Sequence, residues 1–124
     1  MPIIRAENAP KFALPGLLVT GLAAPSRGAR ESSVWRLEVA PGAAGVEHTV
    51  DREEIFVALG GTALATLGGE RLELRPGDTF VVPKGELFSI GNPGSVPFEA
   101  LAVAPVGVRA AMRDGQPFAP PWTE

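Results

Sequence analysis

Pro41–Gly61, PGAAGVEHTVDREEIFVALGG, is the stretch on which the reading of this chain depends, and Pro76–Asn92, PGDTFVVPKGELFSIGN, repeats its plan. Each opens with a Pro-Gly turn, in which proline presets φ and glycine accepts a conformation closed to other residues. Each then runs into an apolar segment rich in Val, Ile and Phe and closes at Gly or Asn. The first also carries His48, the only histidine in the chain. Two such segments are expected to frame one pocket.

Alternation places the side chains. His48 and Val50 share one face of a short strand; after a bend at Asp51, Arg52 and Glu53, the residues Glu54, Phe56 and Ala58 share a face of the next. Ile55, Val57 and Leu59 cover the reverse side, so that strand reads as apolar on both faces and belongs in the middle of a two-layer structure. Thr62–Leu67 and Glu70–Leu74 flank Gly68-Gly69, a two-residue connection suited to a tight hairpin, with Leu72 and Leu74 facing inward. Ala58, Ala63 and Ala65 are small for core positions; they leave room for a ligand or match bulky partners across the sheet. Thr79–Val82, Leu87–Gly91 and Phe98–Val103 supply further strands.

Upstream, Val34–Ala40 alternates, with Trp35, Leu37 and Val39 on one face and Arg36 and Glu38 on the other. The polar face is either solvated or turned into the pocket. Pro25–Ser33, PSRGARESS, reads as a solvated loop. The first 24 residues offer one or two short strands that begin the fold or pair with a neighbouring subunit. Downstream, Val106–Arg113 is the single candidate helix, stopped at Gly115. FAPPW, Phe118–Trp122, is too proline-rich for a helix and too apolar to be left in water, so it is expected across a pocket mouth or a subunit interface.

Composition narrows the class. A chain of 124 residues is read as one domain, 1–124, and its 15 glycines and 13 prolines suit many short strands joined by turns. The fold class is therefore all-β. Net charge is −3 and no run of Lys or Arg stands out, which argues against nucleic acid as a partner. The apolar stretch Phe12–Ala24 is too short and interrupted to span a membrane, and the absence of cysteine suits a reducing, cytoplasmic setting.

The spacing of the two segments resembles the paired signature motifs of the cupin superfamily. In the first family motif Gly is followed after five residues by His-x-His, after three by Glu and after six by Gly; Gly42, His48, Glu54 and Gly61 stand in those places, and Val50 replaces the second histidine. The second motif runs Gly, five residues, Pro-x-Gly, two residues, His, three residues, Asn. Gly77, Pro83, Gly85 and Asn92 match it, and Phe88 replaces the histidine. The resemblance implies a jelly-roll barrel of two antiparallel sheets (a double-stranded β-helix) with at most one short C-terminal helix. It covers about Val34 to Val103, with signature motifs at 42–61 and 77–92, and leaves 104–124 as a tail packed on the barrel or a dimer interface.

It also implies where chemistry would sit. The family's metal is held by three histidines and a carboxylate, and here only His48 and Glu54 remain, since neither a valine methyl nor a phenyl ring offers a lone pair. No tightly bound cofactor is therefore expected. A divalent ion such as Mn, Fe, Zn or Ni would need Glu86 or Asp51 to join the set. Three functions stay open: binding of a small organic molecule; metal-free isomerase or cyclase chemistry with His48 as base and Glu54 as its orienter; and a dioxygenase-type metalloenzyme with a non-standard ligand set. The expected pocket comprises Val50, Phe56, Phe80, Phe88, Ile90, Asn92 and Arg36 around His48 and Glu54. A homodimer is the expected assembly.

Overall fold

The computed structural model describes residues 3–124, and among them every extended element belongs to one of two antiparallel sheets. The strands are β1 Lys11–Leu14, β2 Leu17–Ala23, β3 Ser32–Val39, β4 His48–Val50, β5 Glu54–Gly60, β6 Ala63–Leu67, β7 Glu70–Leu74, β8 Thr79–Val82, β9 Phe88–Gly91, β10 Phe98–Pro105 and β11 Ala110–Met112. One sheet has the order β1-β2-β3-β10-β5-β8 and the other β11-β4-β9-β6-β7. Three single 3-10 turns are the only helical elements described, and no helix is long and apolar enough to cross a membrane.

The alternation read from the chain sets the sheet faces. Trp35, Leu37 and Val39 are buried on β3, Phe56 and Ala58 on β5, and Ala100, Ala102 and Ala104 on β10. These inner faces pack on Val50, Phe88, Ala63, Ala65 and Leu74 of the opposite sheet, so one apolar core lies between the layers. In the β6–β7 hairpin Gly68 and Gly69 both take positive φ, +57° and +86°, as a two-residue turn of matching twist requires. Gly61, the closing glycine of the first motif, has φ +73°, and a Cβ there would collide with the Pro97 carbonyl oxygen.

The two signature segments meet through their backbones. Gly42 N–H donates to Asn92 O (2.7 Å), Asn92 N–H to Ala43 O (2.8 Å), and Gly85 N–H to Val50 O (2.8 Å). His48 and Phe88 are cross-strand partners of β4 and β9.

Three expectations are corrected and one open alternative, that of the N-terminal strands, is decided. Val106–Arg113 is not a helix: Gly107 turns the chain at φ +91°, and Ala110 exchanges both backbone hydrogen bonds with Phe118 (2.8 Å each) while β11 pairs with β4. A sheet edge with open backbone groups outcompetes local helix bonds in so short a segment. The outer face of β5 is not covered, since Val57 and Leu59 are 36% and 42% exposed. Nor does the N-terminal segment need a partner's sheet, because β1 and β2 form a hairpin and β2 adds to β3. Arg27, read as solvated, lies half-buried with Nε donating to Leu22 O (3.1 Å) and Nη1 to Ser26 Oγ (3.3 Å), while its Nη2 has no partner among the described residues.

Candidate ligand cavity

Between the sheets, at the end bounded by β2, β3, β4 and β11, lies a cavity of about 520 Å³. Val19, Trp35, Leu37 and Val39 form one wall; His48, Val50, Phe88, Ile90, Ala110 and Met112 form the other; Glu54 and Phe56 line it from β5. The β1–β2 turn, Leu14–Leu17, and the loop Ala43–Val46 contribute its rim. The C-terminal tail completes it with Phe118, Pro120, Pro121 and Trp122. Ala58, Ala63 and Ala65 do not create this space: they lie outside its lining, buried in the core that includes Phe56, Phe80 and Phe88.

Of the lining side chains only His48 and Glu54 are ionisable. Glu54 opens β5, opposite Val82, and alternation turns it inward with Phe56. It is 5% exposed, and its carboxyl makes no hydrogen bond or ion pair among the described residues. Burial disfavours the charged form and pushes its pKa up to about 8, so near neutral pH the group is largely a carboxylic acid with a proton to donate.

His48 is half-buried, and its ring lies against that of Phe88 with centroids 4.3 Å apart. Nδ1 sits 2.9 Å from Val46 O. A carbonyl oxygen only accepts, so Nδ1 carries the hydrogen and Nε2 of the neutral ring keeps its lone pair. Burial lowers the pKa of His48 below its usual value, the Val46 bond opposing the shift. The two groups are thus pushed in opposite directions, each toward its uncharged form. No hydrogen bond or ion pair joins them. The group orienting the imidazole is the Val46 carbonyl, where a role for Glu54 was expected.

The remaining expected site residues divide. Val50, Phe56, Phe88 and Ile90 line the cavity. Phe80 does not: it is sealed beneath, its ring centroid 6.1 Å from that of Phe56 and 6.2 Å from that of Phe88. Arg36 points to the outer face of β3 and pairs with Glu99 at 2.9 Å, because the inward positions of that strand are the odd-numbered ones. Asn92 is buried as a structural staple, Nδ2 donating to Val39 O (3.0 Å) and Val96 O (2.8 Å) and Oδ1 accepting from Gly94 N–H (3.0 Å). Asp51 is exposed, with Oδ1 accepting from Arg109 N–H (2.7 Å), and Glu86 is exposed on its turn. Neither reaches the cavity.

Among the described residues no three His, Cys, Asp or Glu side chains converge. The donor set therefore does not fit a tightly held transition metal, which needs three or four such ligands. Sequence reasoning missed Trp35 as a cavity residue, whereas Trp122 belongs to the tail expected across a pocket mouth or a subunit interface and lines the cavity. The apolar tail was the one available signal, and its contact with the barrel is specific: Ser33 Oγ donates to Thr123 O (2.9 Å), Ser26 N–H to Glu124 O (2.8 Å), and Trp122 meets Phe12 edge-on at 6.1 Å.

Residues 35–104 match the family model described as "Cupin domain". No curated protein matches the sequence. Among solved structures, the polyketide cyclase RemF from Streptomyces resistomycificus superposes with a TM-score of 0.74 at 20% identity, over 85% of this chain and 79% of that one. KdgF from Halomonas sp. gives 0.71 at 19% identity, over 85% and 94%. A salicylate 1,2-dioxygenase variant from Pseudoaminobacter salicylatoxidans, in complex with gentisate, gives 0.71 at 18% identity, over 86% of this chain and 32% of that one. At these identities the likeness establishes a shared fold.

Proposed function

This chain belongs to the cupin family, and on that premise we propose that it binds a small, partly apolar organic molecule in the inter-sheet cavity without a tightly held metal. The observation that carries this reading is the lining itself. A space of about 520 Å³ has walls of aliphatic and aromatic side chains and only two ionisable groups, His48 and Glu54. That volume and polarity are those of a small-molecule site, in which apolar area supplies affinity and a few polar groups fix orientation. Val50 and Phe88, where the family motif carries histidines, make the cavity drier and remove donors a metal would need.

Titration with N-phenyl-1-naphthylamine, a neutral apolar fluorophore, tests the reading. Saturable binding of one probe per chain is expected, and no saturation at millimolar probe would overturn it. Elemental analysis of tag-free protein, dialysed after exposure to Mn, Fe, Zn, Ni and Cu, is expected to give far less than one metal per chain. Near-stoichiometric metal that disappears in Glu54→Ala would restore the metalloenzyme reading.

A second reading, proton transfer, is supported by the opposite pKa displacements of Glu54 and His48. A neutral acid and a neutral base facing one cavity suit enolisation: His48 Nε2 takes a proton from carbon while the Glu54 carboxyl gives one to the carbonyl oxygen. Reversal at a second carbon would complete an isomerisation. The test is exchange of the α-protons of 2-tetralone in D2O, followed by NMR. Acceleration that vanishes in His48→Ala at unchanged melting temperature supports this chemistry, and no acceleration rules it out for such ketones.

A homodimer is the assembly we infer. The segments expected to seek a partner are used within the chain, so support now comes from the uncovered outer face of β5 and β8, where Val57, Leu59 and Val81 are exposed. Light scattering on the eluting protein is expected to give twice the chain mass, and Val57→Glu with Val81→Glu to halve it.

A further inference from the structure

Two polar groups face this cavity with bonding capacity unused. The Glu54 carboxyl has no partner among the described residues although the residue is buried. His48 spends Nδ1 on Val46 O, which leaves the lone pair of Nε2 open. Both groups open onto the cavity, so a ligand that covers them without pairing them leaves polar atoms buried and unsatisfied, and one that satisfies both gains over one that satisfies neither.

The unused capacity discriminates between ligand chemistries. An anionic ligand would find no Lys or Arg in the lining and would have to give up its hydration for a largely apolar wall. An ammonium would require two charges to be stripped of water in a dry cavity. A carbonyl oxygen only accepts, so the Nε2 lone pair stays unpaired, and a hydrocarbon serves neither group. A hydroxyl donates once and accepts twice, so it can give its hydrogen to Nε2 and take one from the carboxyl.

We propose that the cavity selects a neutral hydroxyl carried on an apolar ring system, the hydroxyl shared between His48 Nε2 and the Glu54 carboxyl. The ring body lies against Trp35, Phe118 and Trp122, whose large flat faces offer stacking surface at small entropic cost. This inference rests on the reading of the cavity as an apolar ligand site and goes further in naming the group recognised.

Calorimetric titration with naphthalene, 2-naphthol, 2-naphthoate and 2-naphthylmethylammonium tests it. 2-Naphthol is expected to bind about tenfold or more tighter than naphthalene, the factor that one net buried hydrogen bond provides. That preference is expected to shrink to within about threefold in both Glu54→Leu and His48→Phe, while naphthalene binding persists or improves. Two independent replacements keep the result readable should one fail to fold. Equal binding of naphthalene and 2-naphthol by the natural protein would overturn the hydroxyl assignment and leave the apolar-site reading standing. Tightest binding of the ammonium probe would replace the hydroxyl with an organic cation. No binding of any of the four would overturn the apolar-site reading itself.

Discussion

His48 and Phe88 face each other across β4 and β9, and their rings lie 4.3 Å apart at an interplanar angle of 46°. The second signature segment would carry a histidine where Phe88 stands. The phenyl ring fills that place, is 1% exposed, and joins the edge of the cavity to the Phe56–Phe80 core beneath.

Restoring donors should therefore restore a metal site. The double variant Val50→His, Phe88→His is expected to hold Zn or Ni at close to one per chain after dialysis, at a stability cost of about 2–3 kcal/mol for replacing a buried phenyl ring by an imidazole. Elemental analysis of tag-free protein checks it. No retained metal in a folded double variant would mean that these positions do not converge on His48 and Glu54.

Glu54 imposes a direction on the pH dependence of stability. Its folded pKa is raised to about 8 from an ordinary value of 4.5, so the folded chain keeps a proton that the unfolded chain has released. The stability gained from the protonated form is complete below pH 4.5 and is lost as pH rises to about 8. His48 acts oppositely: its lowered pKa means that stability falls as pH drops below the ordinary 6.5. Between pH 6.5 and 8 the Glu54 slope stands alone, a loss on the order of 2 kcal/mol. Melting temperatures across that window are expected to decline in the natural protein and to stay nearly flat in Glu54→Gln.

Asn92 stitches the loop after β9 to the end of β3 with three hydrogen bonds made by one buried amide. Asn92→Ala leaves two carbonyls and an N–H unpaired and should cost about 2–3 kcal/mol by urea denaturation. Because the side chain lies outside the cavity lining, affinity for N-phenyl-1-naphthylamine is expected to be unchanged. A large loss of probe affinity in a folded variant would contradict that division of roles.

The tail should loosen when its buried anchor is removed. Ser33, fully buried, donates to Thr123 O at 2.9 Å. Ser33→Ala is expected to cost about 1–2 kcal/mol and to raise hydrogen exchange at Thr123 and Glu124 well above that of β3 and β10. Unchanged exchange there would show the tail to be held by its apolar contacts alone.

Much of the fold was legible because its causes are local. The two-residue period of Val34–Val39 and Glu54–Leu59, the Gly68-Gly69 turn and the motif spacing 42–61 and 77–92 follow from backbone sterics and alternation, which neighbouring residues decide. Those same rules located His48, Val50, Glu54 and Phe56 on the cavity side. They could not separate Ile90, which lines the cavity, from Phe80, which lies sealed below it, since both are inward and apolar. Depth in a core depends on what the opposite sheet brings. Nor could spacing reveal that Ala110 would bond to Phe118 and stand opposite Val50 in place of its own helix, or which of the two expected places, pocket mouth or subunit interface, Trp122 would take. Those outcomes depend on partners far away in the chain. The tautomer of His48, set by the backbone carbonyl of Val46, and the solitude of Glu54 belong to the same class. A side chain's charge and bonding state follow from desolvation and from the donors within reach, which only the assembled sheets define.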